Sequence, residues 1–327
     1  MSHGLFLLFL DVEFSDFNVF LLFGVSVKTL NRAIVNFVKL LPKSVVGVFA
    51  KKYVAGTTLD DAIRVTKELN AKGILTTIDV LGEAITNLDE AREEQKACMR
   101  VLEAIEAHGL NANLSIKPTS LGLAIDKAVC YELVGELVAK AKEMNNFVRI
   151  DMEDSPYTDL TFELYKKLRE KYGVKYVGVV VQAYLKRTLK DVEELNPLGT
   201  NYRLCKGIYV EPPEIAFQDR EEIRENFLKI LDKMLTDGNY VGIATHDDYL
   251  VNKAYEMLKE KNVPADKYEF QMLYGVREEL RDKINADGHK IRIYVPFGER
   301  WYEYSMRRLQ ENPQLAWYIT KALFTRQ

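Results

Sequence analysis

Apolar residues recur along this chain with two alternating periods. Short β-rich runs begin at Ile74 (ILTTIDVLG), Asn113 (NLSIKPTS), Phe147 (FVRIDME) and Val177 (VGVVVQAYL). Four more begin at Tyr202 (YRLCKGIYV), Val241 (VGIATHD), Tyr268 (YEFQMLYG) and Ile291 (IRIYVPFG). Between them lie charged, helix-favouring stretches over 88–107, 126–144, 159–172, 188–195, 220–235, 248–261 and 276–286. A last one covers 299–311. Strands alternating with helices at this spacing predict right-handed βαβ units and a parallel sheet. Eight units point to an α/β fold of the closed (β/α)8, TIM-barrel type, with a doubly wound open sheet as the alternative.

Ahead of the barrel, Val27, Leu30, Ile34, Phe37 and Leu41 fall at helical spacing, and Pro42 stops that run. The pattern divides the chain into an N-terminal helical segment, 1–60, and a barrel catalytic domain, 61–327. No linker rich in Gly, Pro or Ser argues for two separate domains. The 327 residues suit one barrel with an added segment.

Charge and cysteine content narrow the function classes. A formal net charge of −3, with no basic run, argues against nucleic acid as a partner. Cys98, Cys130 and Cys205 are scattered, with no CxxC pair, which fits buried thiols in a reducing, cytoplasmic setting. Residues 1–24 contain the apolar runs GLFLLFL and NVFLLFGV, broken by Asp11, Glu13 and Asp16. Neither run reaches the roughly 18–20 apolar residues that span a bilayer. The segment reads as a helix packed on the domain or a partner, or as a peripheral contact with the inner membrane surface.

In such a barrel, chemistry sits at the carboxyl ends of the strands. The polar residues late in the runs are Lys117, Asp151, Gln182, Arg203, Lys206, Thr245, His246, Asp247, Gln271 and Tyr294. An inward charge is costly unless it is paired or serves a ligand, so this many at one end is more than solvated strand ends would produce. No GxGxxG follows a strand, and GxxxxGK[ST], GxSxG and HExxH are absent. A metal site finds little support. Only His246 of four histidines stands at a strand end, and Lys117, Arg203 and Lys206 would compete for Asp151, Glu153 and Asp247.

The final stretch carries Tyr304, Arg307, Arg308 and Glu311 at i, i+3, i+4 and i+7, one face of a helix. Tyr302, Met306 and Leu309 form a separate packing stripe. The polar face is either solvated or laid over the barrel mouth, where two guanidinium groups can clamp a carboxylate bidentately and Glu311 can hold them.

The blocks ILTTIDVLGE, LSIKPTSLGL, RIDMED, VVVQAYL, YRLCKGIYVEP, ATHDD, EFQMLYGVR and YVPFGERWYEYSMRRLQENP resemble successive blocks of the proline dehydrogenases. They run in order from Ile74 to Pro313, and the N-terminal helices resemble those of the short, monofunctional bacterial members. The resemblance implies FAD-dependent oxidation of L-proline to 1-pyrroline-5-carboxylate. Hydride passes from proline C5 to flavin N5, and a quinone takes the electrons. A separate 1-pyrroline-5-carboxylate dehydrogenase is the implied functional partner.

By the family pattern, Arg203 sits against the flavin, with Met152 and Gln182 beside it. Lys206, Gly207 and Ile208 follow its ribityl and pyrophosphate part, and Thr245, His246 and Gln271 make further cofactor contacts. For the substrate, Arg307 and Arg308 match the pair that holds the proline carboxylate, steadied by Glu311. Lys117 adds a cation. Tyr294 and Tyr304 form aromatic walls, Leu273 an apolar contact, and Asp151 organises the site through Tyr294. Bulk at Tyr304 implies preference for proline over hydroxyproline. Cys205, Ile208 and Phe297 depart from the usual valine, alanine and tyrosine, and Ile208 adds bulk beside the cofactor segment. Two other readings remain open: a Schiff-base aldolase using Lys117, and a non-catalytic barrel that binds an anionic metabolite.

Overall fold

A computed structural model describes residues 47, 52–82, 85–302 and 304–306. The chain forms two compact units, one spanning Tyr53–Arg300 and the other comprising Met1–Lys52 with Trp301–Gln327. The first unit therefore starts eight residues before the expected division at 60/61. The expected helix over 27–41, Arg307, Arg308 and Glu311 lie outside the described residues.

The barrel unit opens with α1 (Leu59–Asn70), then β1 (Leu75–Val80), α2 (Leu88–Ala107), β2 (Ala112–Ile116), α3 (Lys127–Glu143), β3 (Val148–Ile150) and α4 (Thr158–Tyr172). It continues with β4 (Val177–Gln182), α5 (Thr188–Leu195), β5 (Asn201–Cys205), α6 (Arg220–Thr236) and β6 (Tyr240–Ala244). Then come α7 (Asp248–Glu260), β7 (Tyr268–Leu273), α8 (Glu278–Ala286) and β8 (Ile291–Phe297). Each strand pairs in parallel with the next, and β8 returns to β1, closing the barrel. The open-sheet alternative is thereby excluded.

Polar caps set where the helices begin. Asn87, Asp126, Asp219 and Asp247 each accept hydrogen bonds from backbone amides one to three residues into the first turn of α2, α3, α6 and α7. Sequence reading missed α1, although Thr58 and Asp61 form a reciprocal capping box at its start.

The strands alternate strictly between two faces. Ile78, Leu114, Ile150, Leu204, Phe270 and Ile293 are almost fully buried among the packed helices and sheet. The intervening positions face the barrel lumen, and in β1, β2, β3, β7 and β8 most of them are polar. Toward the strand amino ends, Arg149 donates from Nη1 to the Asn201 carbonyl (2.6 Å), while Arg292 donates from Nε and Nη2 to both oxygens of Glu269 (2.7 and 3.0 Å). Gly178 makes this layer possible: a Cβ there would sit 2.6 Å from Arg149 Nη1. Because buried charges need partners, Arg149 is partnered by carbonyls of β4 and β5 and the Asn201 side chain, and Arg292 by the Glu269 carboxylate of β7.

Candidate active site

Moving toward the carboxyl ends, the lumen carries a row of alternating charge. Asp79 of β1, Lys117 just after β2, Asp151 just after β3 and Arg203 of β5 follow one another. Lys117 Nζ donates to Asp79 Oδ1 at 2.8 Å and lies 3.5 Å from Asp151 Oδ2. Arg203 Nη1 donates to Asp151 Oδ1 at 2.8 Å. Ser115 Oγ adds a second bond to that oxygen (2.7 Å), and Tyr294 Oη donates to Asp151 Oδ2 (2.9 Å) while accepting from Lys117 (3.1 Å). Arg203 Nε donates to Gln271 Oε1 (2.6 Å), whose amide in turn donates to Glu269 Oε1 (2.6 Å). Gly242 leaves room for Gln271; a Cβ there would approach its Nε2 to 2.4 Å.

These partners set the protonation states. Burial opposes ionisation of Asp151, yet Arg203, Lys117 and the Ser115 and Tyr294 hydroxyls hold its carboxyl below the usual carboxylate range. Burial alone would lower Lys117, but Asp79, Tyr294 and Asp151 more than offset this and hold the ammonium well above its ordinary value. Burial, then the Asp151 and Asp79 carboxylates, push the Tyr294 phenol far up. Asp151 is therefore a carboxylate and Lys117 an ammonium, with a neutral phenol across them, while burial pushes the Asp79 carboxyl above its ordinary value against the pull of Lys117.

A second cluster flanks the row at the same end. Asp247 caps α7 and receives Arg224 Nη2 at 2.7 Å and Lys206 Nζ at 3.2 Å. Gln182 donates to the Glu153 carbonyl (3.0 Å), and Glu153 itself takes the Thr119 amide (2.8 Å). His246 Nε2 accepts from the Leu273 amide at 2.9 Å, and the Thr245 amide donates to the Gln271 carbonyl (3.2 Å). Met152 is buried, and Ile208 and Leu273 are half-buried. Gly207 takes a left-handed φ of +115°, and a Cβ there would lie 2.1 Å from the Tyr184 ring.

The expected residues Lys117, Asp151, Arg203, Gln271 and Tyr294 thus join in one bonded network, including the bond from Tyr294 to Asp151. Arg203 and Gln271 lie within their strands rather than at the tips. Two of the carboxylates weighed as magnesium ligands, Asp151 and Asp247, are taken by cations, and no group of three metal-ligating side chains occurs among the described residues. Tyr304 belongs to the other compact unit. Sequence reading missed Asp79, Ser115, Arg224 and the Glu269–Arg292 pair. The signal for Asp79, Ser115, Glu269 and Arg292 was the every-second-residue polarity of the strands.

Fold and site together define a (β/α)8 barrel with a network of charged side chains toward the carboxyl ends of its strands. The proline dehydrogenase family model matches residues 62–317, and the chain belongs to the proline dehydrogenase family. It is 39% identical over 266 residues to proline dehydrogenase 2 of Bacillus subtilis (strain 168), covering 81% of this chain and 87% of that one. It is 34% identical over 277 residues to the proline dehydrogenase of Deinococcus radiodurans, covering 84% and 89%. Among solved structures, it resembles proline utilization A from Bdellovibrio bacteriovorus inactivated by N-propargylglycine, with a TM-score of 0.75 and 25% identity. That match covers 80% of this chain and 32% of the other, so the chain spans about a third of that protein's length. The chain is an enzyme of proline oxidation, in a family of flavoproteins. Among the described residues, no helix is long and apolar enough to cross a membrane.

Proposed function

We propose that this chain oxidises L-proline to 1-pyrroline-5-carboxylate with FAD held at the carboxyl ends of the barrel strands. The observation that carries the reading is Arg203, a buried guanidinium fixed between Asp151 and Gln271 with the Tyr294 ring 5.2 Å away. The residues present fit a flavin dinucleotide. Gly207 allows the left-handed turn of the chain after β5, with the Tyr184 ring packed where a side chain would lie. Lys206, with 37% of its side chain exposed, offers a cation suited to phosphate. The Tyr184 hydroxyl beside Gly207 is buried with no hydrogen-bond partner among the described residues.

Met152, Gln182, Arg203, Lys206, Gly207, Ile208, Thr245, His246 and Gln271 would hold the cofactor. FAD, when bound, supplies the acceptor for the hydride leaving proline C5. Arg203 contributes a fixed positive charge, pre-oriented by Asp151 and Gln271, that favours added negative charge beside it. Lys117, Leu273 and Tyr294 line the substrate side, with Asp151 positioning Tyr294. The family resemblance assigns the proline carboxylate to Arg307 and Arg308 with Glu311, and a ring wall to Tyr304. The same resemblance makes a quinone the onward acceptor and a separate 1-pyrroline-5-carboxylate dehydrogenase the consumer of the product. Peripheral attachment to the inner membrane through residues 1–24 is part of the same reading.

A Schiff-base mechanism needs a neutral lysine, and Lys117 is locked as an ammonium between two carboxylates, which disfavours it. Anaerobic addition of L-proline to the purified protein tests the proposal. A yellow protein whose flavin absorbance bleaches on proline supports it. A colourless protein trapped by borohydride with a keto acid would replace it with the aldolase.

A further inference from the structure

Asp79 lies in β1, is 1% exposed, and carries a carboxylate that the reading above leaves without a task. Its Oδ1 receives Lys117 Nζ at 2.8 Å, and its Oδ2 is buried with no hydrogen-bond partner among the described residues. A carboxylate held this deep with one oxygen unmatched is costly in a strand that apolar residues would stabilise better. Its cost is explained by what it does to Lys117. The ammonium has three protons and three neighbours: Asp79 at 2.8 Å, Tyr294 Oη at 3.1 Å and Asp151 at 3.5 Å.

We propose that Asp79 is a positioning residue for proline oxidation, drawing Lys117 away from Asp151 so that Asp151 Oδ2 stays free for the Tyr294 hydroxyl. Lys117 donates to the phenol oxygen, so the phenol proton must point at Asp151. This chain of donors fixes both the ring of Tyr294 and the carboxylate that anchors Arg203. With Asp79 gone, Lys117 closes on Asp151, displaces the Tyr294 hydroxyl and weakens the hold on Arg203. The inference rests on the reading that Lys117, Asp151 and Tyr294 line the proline site.

The flavin-loaded enzyme and its Asp79→Asn, Lys117→Met and double variants test it through kcat and KM for proline, flavin content, melting temperature and pH profile. Asp79→Asn keeps an acceptor for Lys117 but removes the negative charge that draws it, and is expected to lower kcat/KM at least about tenfold, with flavin retained. The double variant is expected to be no worse than Lys117→Met alone, because Asp79 acts through Lys117. Losing the carboxylate also makes Lys117 easier to deprotonate, so the basic limb of the kcat/KM profile moves to lower pH. Melting gives a second readout that does not depend on activity: the double variant is expected to melt no lower than Lys117→Met, since it sheds an unpaired buried charge. Additive losses in the double variant, or a lower melting temperature, would overturn the inference. Full activity in Asp79→Asn beside a damaged Lys117→Met overturns it alone, whereas an undamaged Lys117→Met overturns it together with the assignment of Lys117 to the site.

Discussion

Asp151 collects more of the site's order than any other side chain described. Arg203 and Ser115 meet at one oxygen, Tyr294 bonds the other, and Lys117 stands 3.5 Å away. Removing one partner of a buried ion pair leaves an uncompensated charge and costs about 3–5 kcal/mol. Lys117 remains near Asp151 to absorb part of that loss, so Arg203→Met is expected to sit at the lower end, about 3 kcal/mol in urea unfolding. It should also release flavin more readily than the parent protein. Unchanged unfolding and flavin retention would mean that Arg203 is not held as described. At this scale the sequence was only partly legible. Lys117 and Asp151 stand out because they follow apolar runs at strand ends, and Gln271 and Tyr294 because they are polar residues late in β-rich runs. Asp79 and Ser115 sit one step earlier, inside ILTTIDV and NLSI, where a polar residue reads as part of the strand unless the alternation is followed through every strand.

Elements were more legible than residues. Apolar periodicity fixes the strands because each must hide one face against the helices, and α2 and α5 occupy the stretches expected for them, 88–107 and 188–195. A start shifts where a cap decides the matter: Asp126, expected inside α3, sits just outside it because its side chain accepts from the first-turn amides. Helix α1 was missed because LDDAIRVTKELN precedes the first strand and falls outside the strand–helix alternation. Its apolar positions Ala62, Ile63, Val65 and Leu69 are nevertheless buried. The reverse holds at β3, where the run FVRIDME yields only Val148–Ile150 as strand. Asp151 follows directly, its amide still bonded to the Ile116 carbonyl of β2, and its carboxylate meets Arg203 of β5 and Tyr294 of β8 across the lumen.

The whole barrel also stores pH dependence in two carboxyls of opposite sign. Burial, then the nearby Asp79 carboxylate, push Glu94 up to about 7, while Lys117 and Arg300 pull it back. Its folded value lies above that of the unfolded chain, about 4.3, so the folded state holds the proton more tightly. The stability tied to Glu94 is full below pH of about 4.3 and is lost as pH rises toward 7. Asp247 runs the other way. Burial opposes its ionisation, but Arg224 and Lys206 hold it well below the usual range, so its contribution is present at neutral pH and lost in strong acid. Glu94→Gln is expected to flatten the decline in melting temperature between weakly acidic and neutral pH while leaving the acid limb intact. An unchanged profile would show that Glu94 ionises freely in the folded protein.

In the proposed arrangement, a flavin and an amino acid meet at the carboxyl ends of the barrel strands, ordered by a lumen of alternating charge. A crystal structure of the FAD-loaded protein with an unreactive carboxylate analogue of proline tests this most directly. The isoalloxazine ring is expected against Arg203 and Gln271, with the analogue between it and Tyr294. A flavin bound on the outer helices, or at the amino ends of the strands beside Arg149 and Glu269, would contradict it.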